Sequence, residues 1–319
     1  MKKRLLSYSI VVAVLLCSCS KEPVESFAGG DPTSPILPGA GVAATVESRA
    51  DLSGVVSGTA FPANTTKVFS VVGYSGTAAP TNWASPYIAN VAVNSGASAL
   101  SFATPQYYPA NGNKIYFYAY SPVSGTYTAG SGSTAPTVAW TITGQQDIMA
   151  AQVTTGIAKA ATGTQSQPAF AFTHKLKQVK FKVVKDASFE DNIKLTSLKI
   201  IGAKTAATLS LSTGAVSWGS TTGDLTTYDN ATGQTITATA TAVGTGGSPV
   251  MFEPGTSFKV RAVAGGVTYA DVTVILSGTN AGQAGVCHEV TLTFKRNEIV
   301  PTATITNWTT GTAGNVNIL

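Results

Sequence analysis

Two histidines and three cysteines are the side chains of this 319-residue chain best suited to nucleophilic or metal chemistry near neutral pH. His174 and His288 lie far apart, and neither stands in a Ser/His/Asp or Cys/His pattern. His288 directly follows Cys287, but successive side chains of a strand point to opposite faces, so the two cannot form a dyad. Cys287, in Gly285-Val-Cys-His-Glu-Val290, reads as a small buried hydrophobe at a strand entrance. His174 precedes a lysine-rich strand and reads as a polar strand-edge residue. The 15 carboxylates are dispersed. Asp186, Glu190 and Asp191 share one loop and Asp224 and Asp229 another, but neither loop has calcium-binding spacing. No Gly-Lys-Ser/Thr phosphate loop follows a strand, and Gly244-Thr-Gly-Gly247 reads as a turn. We therefore expect no catalytic, metal or cofactor site, and no enzyme.

The other two cysteines suggest a different chemistry. Lys2, Lys3 and Arg4 precede an apolar run, Ile10 to Leu16, which is well short of the ~20 residues that span a bilayer. This order marks a secretory signal peptide over residues 1–18. Leu16-Cys17-Ser18-Cys19 is similar to a bacterial lipobox, with leucine three places before Cys19 and small Ser18 just before it. Cys19 is the expected lipidation site, joining the protein to outer-membrane lipid at the cell surface. Several acyl chains hold firmly where one alone is marginal, at ~0.8 kcal/mol per buried methylene. Only Cys287 then keeps a thiol, so no internal disulfide is expected.

Composition sets the elements that must carry such a protein. Charged residues make up 11% and apolar ones 44%, and Gly, Thr, Ala, Ser and Val dominate. This balance suits short strands and tight turns. Of the net charge of +5, Lys2, Lys3 and Arg4 supply three, which leaves +2 and no case for a nucleic-acid partner. Residues 19–41 read as a lipidated tether, because Gly29-Gly30-Asp31-Pro32, Pro35 and Pro38 oppose regular structure. Strands then recur. Val42 to Glu47 carries Val42, Ala44 and Val46 on one face. Lys114 to Tyr120 sets Ile115, Phe117 and Ala119 against Tyr116, Tyr118 and Tyr120, which suits a core strand with the tyrosines at a contact. Gln178 to Val183 alternates apolar residues with lysines. The eight lysines from Lys175 to Lys204 read as the wet face of a sandwich. A Gly/Thr/Gln/Ser-rich stretch at 158–168 divides the strands into segments 42–160 and 161–319. The expectation is an all-β chain of two β-sandwich domains in tandem.

Four segments carry a resemblance. They are Phe117-Tyr-Ala-Tyr-Ser-Pro122, Gln146-Asp-Ile-Met-Ala150, Phe170-Ala-Phe-Thr-His-Lys-Leu-Lys-Gln-Val-Lys-Phe181 and Ile305-Thr-Asn-Trp-Thr-Thr-Gly311. With the lipobox, their order resembles the fimbrillin family, the type V pilus subunits of Bacteroidales-type bacteria. The resemblance implies transthyretin-like sandwiches and a lipoprotein precursor cut after a basic residue by a trypsin-like surface protease. It also implies assembly with other fimbrial subunits by strand exchange, and adhesion to a host or bacterial receptor. Here Arg49 and Ala50 flank the matching cut, in a polar segment where Arg49 and Lys67 are the only basic residues between Glu22 and Asn113. Val42, Ala44 and Val46 would leave with the displaced first strand, and Val316, Ile318 and Leu319 would belong to the donor strand. A tail strand kept within its own domain, a tip or anchor subunit, and a monomeric glycan-binding lipoprotein remain alternatives.

Overall fold

The computed structural model describes residues 30–42, 61–187, 189, 193–295 and 298–306. The described residues are all-β, and their one helical turn is the 3₁₀ segment Thr245–Gly247, within the expected turn. None of their helices is long and apolar enough to cross a membrane.

Seven strands form the largest sheet, in the order Gly39–Val42, Ala169–His174, Met149–Ile157, Lys114–Ser121, Thr65–Gly76, Ile88–Ser95 and Leu100–Phe102. The Lys114–Ser121 strand lies at its centre and is buried on both faces. Phe117 and Ile115 join Phe69, Phe170, Phe172 and Tyr108 in one core. Tyr116, Tyr118 and Tyr120 enter a second core with Trp83 and Trp140. The tyrosine row is thus an inner face of the fold, with Trp83 edge-on to Tyr118 at 5.3 Å.

The stretch at 158–168 links two neighbouring strands of this same sheet, since Met149 pairs with His174 and Ala150 with Thr173. Thr137–Thr141 from the first half pairs in turn with Ala206–Ser210 from the second, in a four-stranded sheet. The division expected near 158–168 therefore does not separate sheets. Local composition reports a loop but not the strands that the loop joins.

Besides a two-stranded sheet taken up below, the described residues also form two five-stranded sheets. One is built on Lys177–Lys185, which pairs in parallel with Cys287–Lys295, and that strand pairs with Glu298–Thr306. The other is built on Lys194–Lys204 with Thr222–Thr235 and Ser257–Ala264 on either side. Val179, Phe181, Val183, Val290, Leu292 and Phe294 of the first share a core with Leu195, Leu198, Ile200, Val260 and Ala262 of the second. Period-two alternation placed Val179, Phe181 and Val183 inward, as a half-buried sheet requires. Leu195 instead joins Leu198 and Ile200 only through the register shift between Leu195 and Ser197.

Candidate functional site

Residues 30–42 depart most from expectation. They form two strands, Gly30–Pro35 and Gly39–Val42, rather than an irregular tether. Proline fixes φ near −65° and favours an extended residue before it, so Pro32 and Pro35 are compatible with a strand whose pairing avoids their missing N–H groups. Pro38 falls in the link between the two strands.

This segment lies between two walls. On one side Gly30–Pro35 pairs with Tyr107–Pro109, and the Ile36 N–H donates to the Gln106 carbonyl at 2.8 Å. On the other side Gly39–Val42 runs parallel to Ala169–His174, with Gly39 opposite Ala169 and Val42 opposite Phe172. Burial alternates from Ser34 to Pro38: Ile36 is 3% exposed and Pro38 buried, while Leu37 is 55% exposed. Ile36 enters the core of Phe69, Phe170 and Phe172.

The walls are joined beneath the segment. Tyr108 is fully buried, and its hydroxyl donates to the Ser166 carbonyl at 2.7 Å, which ties 107–109 to 165–168. Burial pushes the Tyr108 hydroxyl pKa up, so it stays a donor. The Gln165 side chain accepts from the Ala160 N–H at 2.7 Å and donates to the carbonyls of Ala158 and Ser166, which locks the second wall. Past the undescribed residues 43–60, Phe61 anchors the chain to the same core. Its ring lies 5.1 Å from those of Phe69 and Phe172. Among the described residues, the groove is thus built by those from Phe61 onward, and the segment Gly30–Val42 fills it.

Sequence reasoning placed the first strand at 42–47 and did not pick out Tyr108, Gln165 or Gln167. The partners of Tyr108 and Gln167 are distant in sequence, 58 residues for Ser166 and 130 for Leu37, and Gln165 acts through irregular backbone close by, so no local period marks them. One hint was the alternating Ala169-Phe-Ala-Phe172, which follows Gln165-Ser-Gln-Pro168. Val42 lies at the end of a strand. Cys19, Ala44, Val46, Arg49, Ala50, Val316, Ile318 and Leu319 lie outside the described residues.

Both histidines are buried. His174 ends the Ala169–His174 strand, as expected, but it is buried: its Nδ1 lies 2.8 Å from Asp147 Oδ1, and both side chains are almost wholly inaccessible. The pairing of Met149 with His174, between two strands consecutive in the chain, brings Asp147 there. Lys177 departs from the wet face expected of its neighbours. It is 1% exposed, donates to the Gly255 carbonyl at 2.8 Å and lies 4.2 Å from the Phe252 ring centroid. Burial lowers its pKa to about 8. His288 is fully buried and accepts from the Gly282 N–H through Nε2 at 3.2 Å, so the imidazole is neutral. Burial first, and Lys177 second, lower its pKa to about 4.

An acid transition follows. The unfolded chain binds a proton at His288 near pH 6.5, whereas the folded chain resists it down to about pH 4. Stability present above pH 6.5 is therefore lost as pH falls to 4, by on the order of 3 kcal/mol. Urea melts of the wild type and of His288→Gln across this window should show a steeper decline in the wild type. Parallel curves would remove His288 as the cause.

The fimbrillin-like family model matches residues 55–308. No curated protein matches the chain. A fimbrial protein from Bacteroides vulgatus is similar in structure, with a TM-score of 0.57 and 17% identity over 86% of this chain and 99% of that one. A candidate cell adhesion protein from Bacteroides uniformis gives 0.53 and 17% over 88% and 100%. One from Bacteroides ovatus gives 0.54 and 16% over 86% and 98%.

Proposed function

Because this chain belongs to the fimbrillin-like family, we propose that it is a fimbrial subunit that polymerises by exchanging the segment in its groove for a strand of a second copy. The family is one of fimbrial and adhesion proteins, not of enzymes, and it operates at the cell surface. The observation that carries the reading is the groove between Gln106–Pro109 and Gln165–Phe172, filled by the chain's own residues 30–42.

The order of events follows from that placement. Export and acylation of Cys19 hold the precursor at the outer membrane. A trypsin-like surface protease cuts between Arg49 and Ala50, which severs residues 30–42 from the body that begins at Phe61. The departing strand is weakly held: Gly39 and Gly41 have no side chains to pack, and three prolines remove donors. Once it leaves, the Ala169–Phe172 edge presents unpaired backbone groups and an apolar trough, which an extended strand satisfies. The tail Asn315-Val-Asn-Ile-Leu319 supplies apolar residues at the same two-residue spacing as Ile36 and Pro38, with an N–H at every position.

Electron microscopy of surface material from cells making the protein tests this reading, with fibres expected. Smooth cells and a monomer bearing its original mature N-terminus would overturn it. Metabolic labelling with an alkyne fatty acid should mark the wild type and not Cys19→Ala. Equal labelling of the two would remove the lipid anchor.

A further inference from the structure

In a parallel pair, every second residue of a strand donates its N–H to one carbonyl of the neighbour and accepts, through its own carbonyl, from an N–H two residues further along. The ladder between Ala169–Phe172 and Gly39–Val42 has this form, and the Gly39 N–H extends it by donating to the Pro168 carbonyl at 2.8 Å. Before Pro168 the wall turns away, and a backbone partner for residues 35–37 would be missing on that side.

The Gln167 side chain fills the gap. Its Oε1 accepts from the Leu37 N–H at 2.7 Å, and its Nε2 donates to the Pro35 carbonyl at 3.4 Å. Carbonyl 35 and amide 37 form the pair that a parallel neighbour opposite residue 36 would engage. The primary amide of Gln167 thus reproduces the donor and acceptor of one peptide unit and lengthens the wall by one residue. Gln165 and the Tyr108–Ser166 bond fix the backbone from which it projects. Both groups that Gln167 touches belong to the main chain of the segment, so the contact is indifferent to which side chains that segment carries.

We infer that Gln167 is a backbone-reading residue of the groove, engaging whichever extended strand occupies it: first residues 35–37 of the same chain, then the matching residues of a second copy's C-terminal segment. The second half of this inference rests on the strand-exchange reading above. The first half does not. Gln167 also fixes which edge of the strand faces this wall, because its fork needs a carbonyl and, two residues on, an N–H on the same edge. Such a strand needs a non-proline residue at the position of Leu37, and Asn317, between Val316 and Ile318, meets that need.

Two measurements test this. In the intact chain, Gln167→Met keeps the length of the side chain but removes both polar groups. Hydrogen exchange at the Leu37 amide should then rise about tenfold, while Gly39, held by the Pro168 carbonyl, keeps its rate. In full-length protein cut after Arg49, synthetic peptides 30–42 and 307–319 should each bind Gln167→Met about tenfold more weakly than wild type, by a similar factor for both. Gln167→Asn, one methylene short, should not restore binding. Unchanged Leu37 exchange would overturn the inference, as would a loss confined to one peptide. If wild type binds neither peptide while the Leu37 result holds, strand exchange fails and the role of Gln167 in the precursor stands.

Discussion

Arg49→Ala should leave the protein folded and monomeric, with no ladder of oligomers on gels run without boiling, where the wild type after surface proteolysis gives one. The reasoning concerns effective concentration. While the chain is intact, Gly30–Val42 is delivered to its groove at an effective concentration on the order of millimolar. After the cut it must compete as a separate peptide. At micromolar protein this weakens its hold by about 4 kcal/mol. Little offsets that loss: a few backbone hydrogen bonds at about 1 kcal/mol each and the burial of Ile36 at about 2 kcal/mol, against about 1 kcal/mol or more for each residue ordered. The segment therefore escapes when severed and stays when it is not. Sequencing the new N-terminus should begin at Ala50. A wild-type ladder from Arg49→Ala would refute the cut as the trigger. Lys67 offers no detour. It lies in the Thr65–Gly76 strand, and its N–H donates to Asn94 Oδ1 at 2.9 Å, so a protease would have to unfold that strand to reach it.

The double change Val316→Asp with Ile318→Asp should be as severe, and it separates two fates for the tail. If the tail is donated, the variant is cut, loses its own segment and accepts a wild-type strand but gives none, because burying an unpaired carboxylate costs several kcal/mol. Alone it should form no ladder. Mixed with wild type it should end growing fibres, shortening them in proportion to its share. Its thermal midpoint before the cut should match the wild type. If the tail instead packs within its own chain, the midpoint falls and the ladder persists. Calorimetry alongside gels decides between the two.

Legibility varied along the chain for physical reasons. Alternation exposed the inward faces of Gln178–Val183 and Lys114–Tyr120, because a sheet with a buried face imposes a period of two on the residues that build it. It could not show that the face of Tyr116, Tyr118 and Tyr120 is covered as well, since a sheet buried on both sides differs only in what arrives from elsewhere, here Trp83 and Trp140. Prolines at 32, 35 and 38 suggested irregular chain, yet extended backbone with selective pairing satisfies the same constraint. Lys177 looked like its neighbours Lys180 and Lys182, because burial of a lysine depends on the loop at Gly255 closing over it.

The order of residues by itself determined the class of the fold, its alternating strands and its family resemblance, because these follow from local period, composition and short motifs. Only the tertiary structure decided where the groove proposed for strand exchange lies. The groove needs the walls at 106–109 and 165–172 brought together, Tyr108 across its floor and Gln167 at its rim, with residues 30–42 laid between them. Each of those contacts joins residues far apart in the chain, and hydrogen bonding at such separation leaves no periodic trace in the sequence.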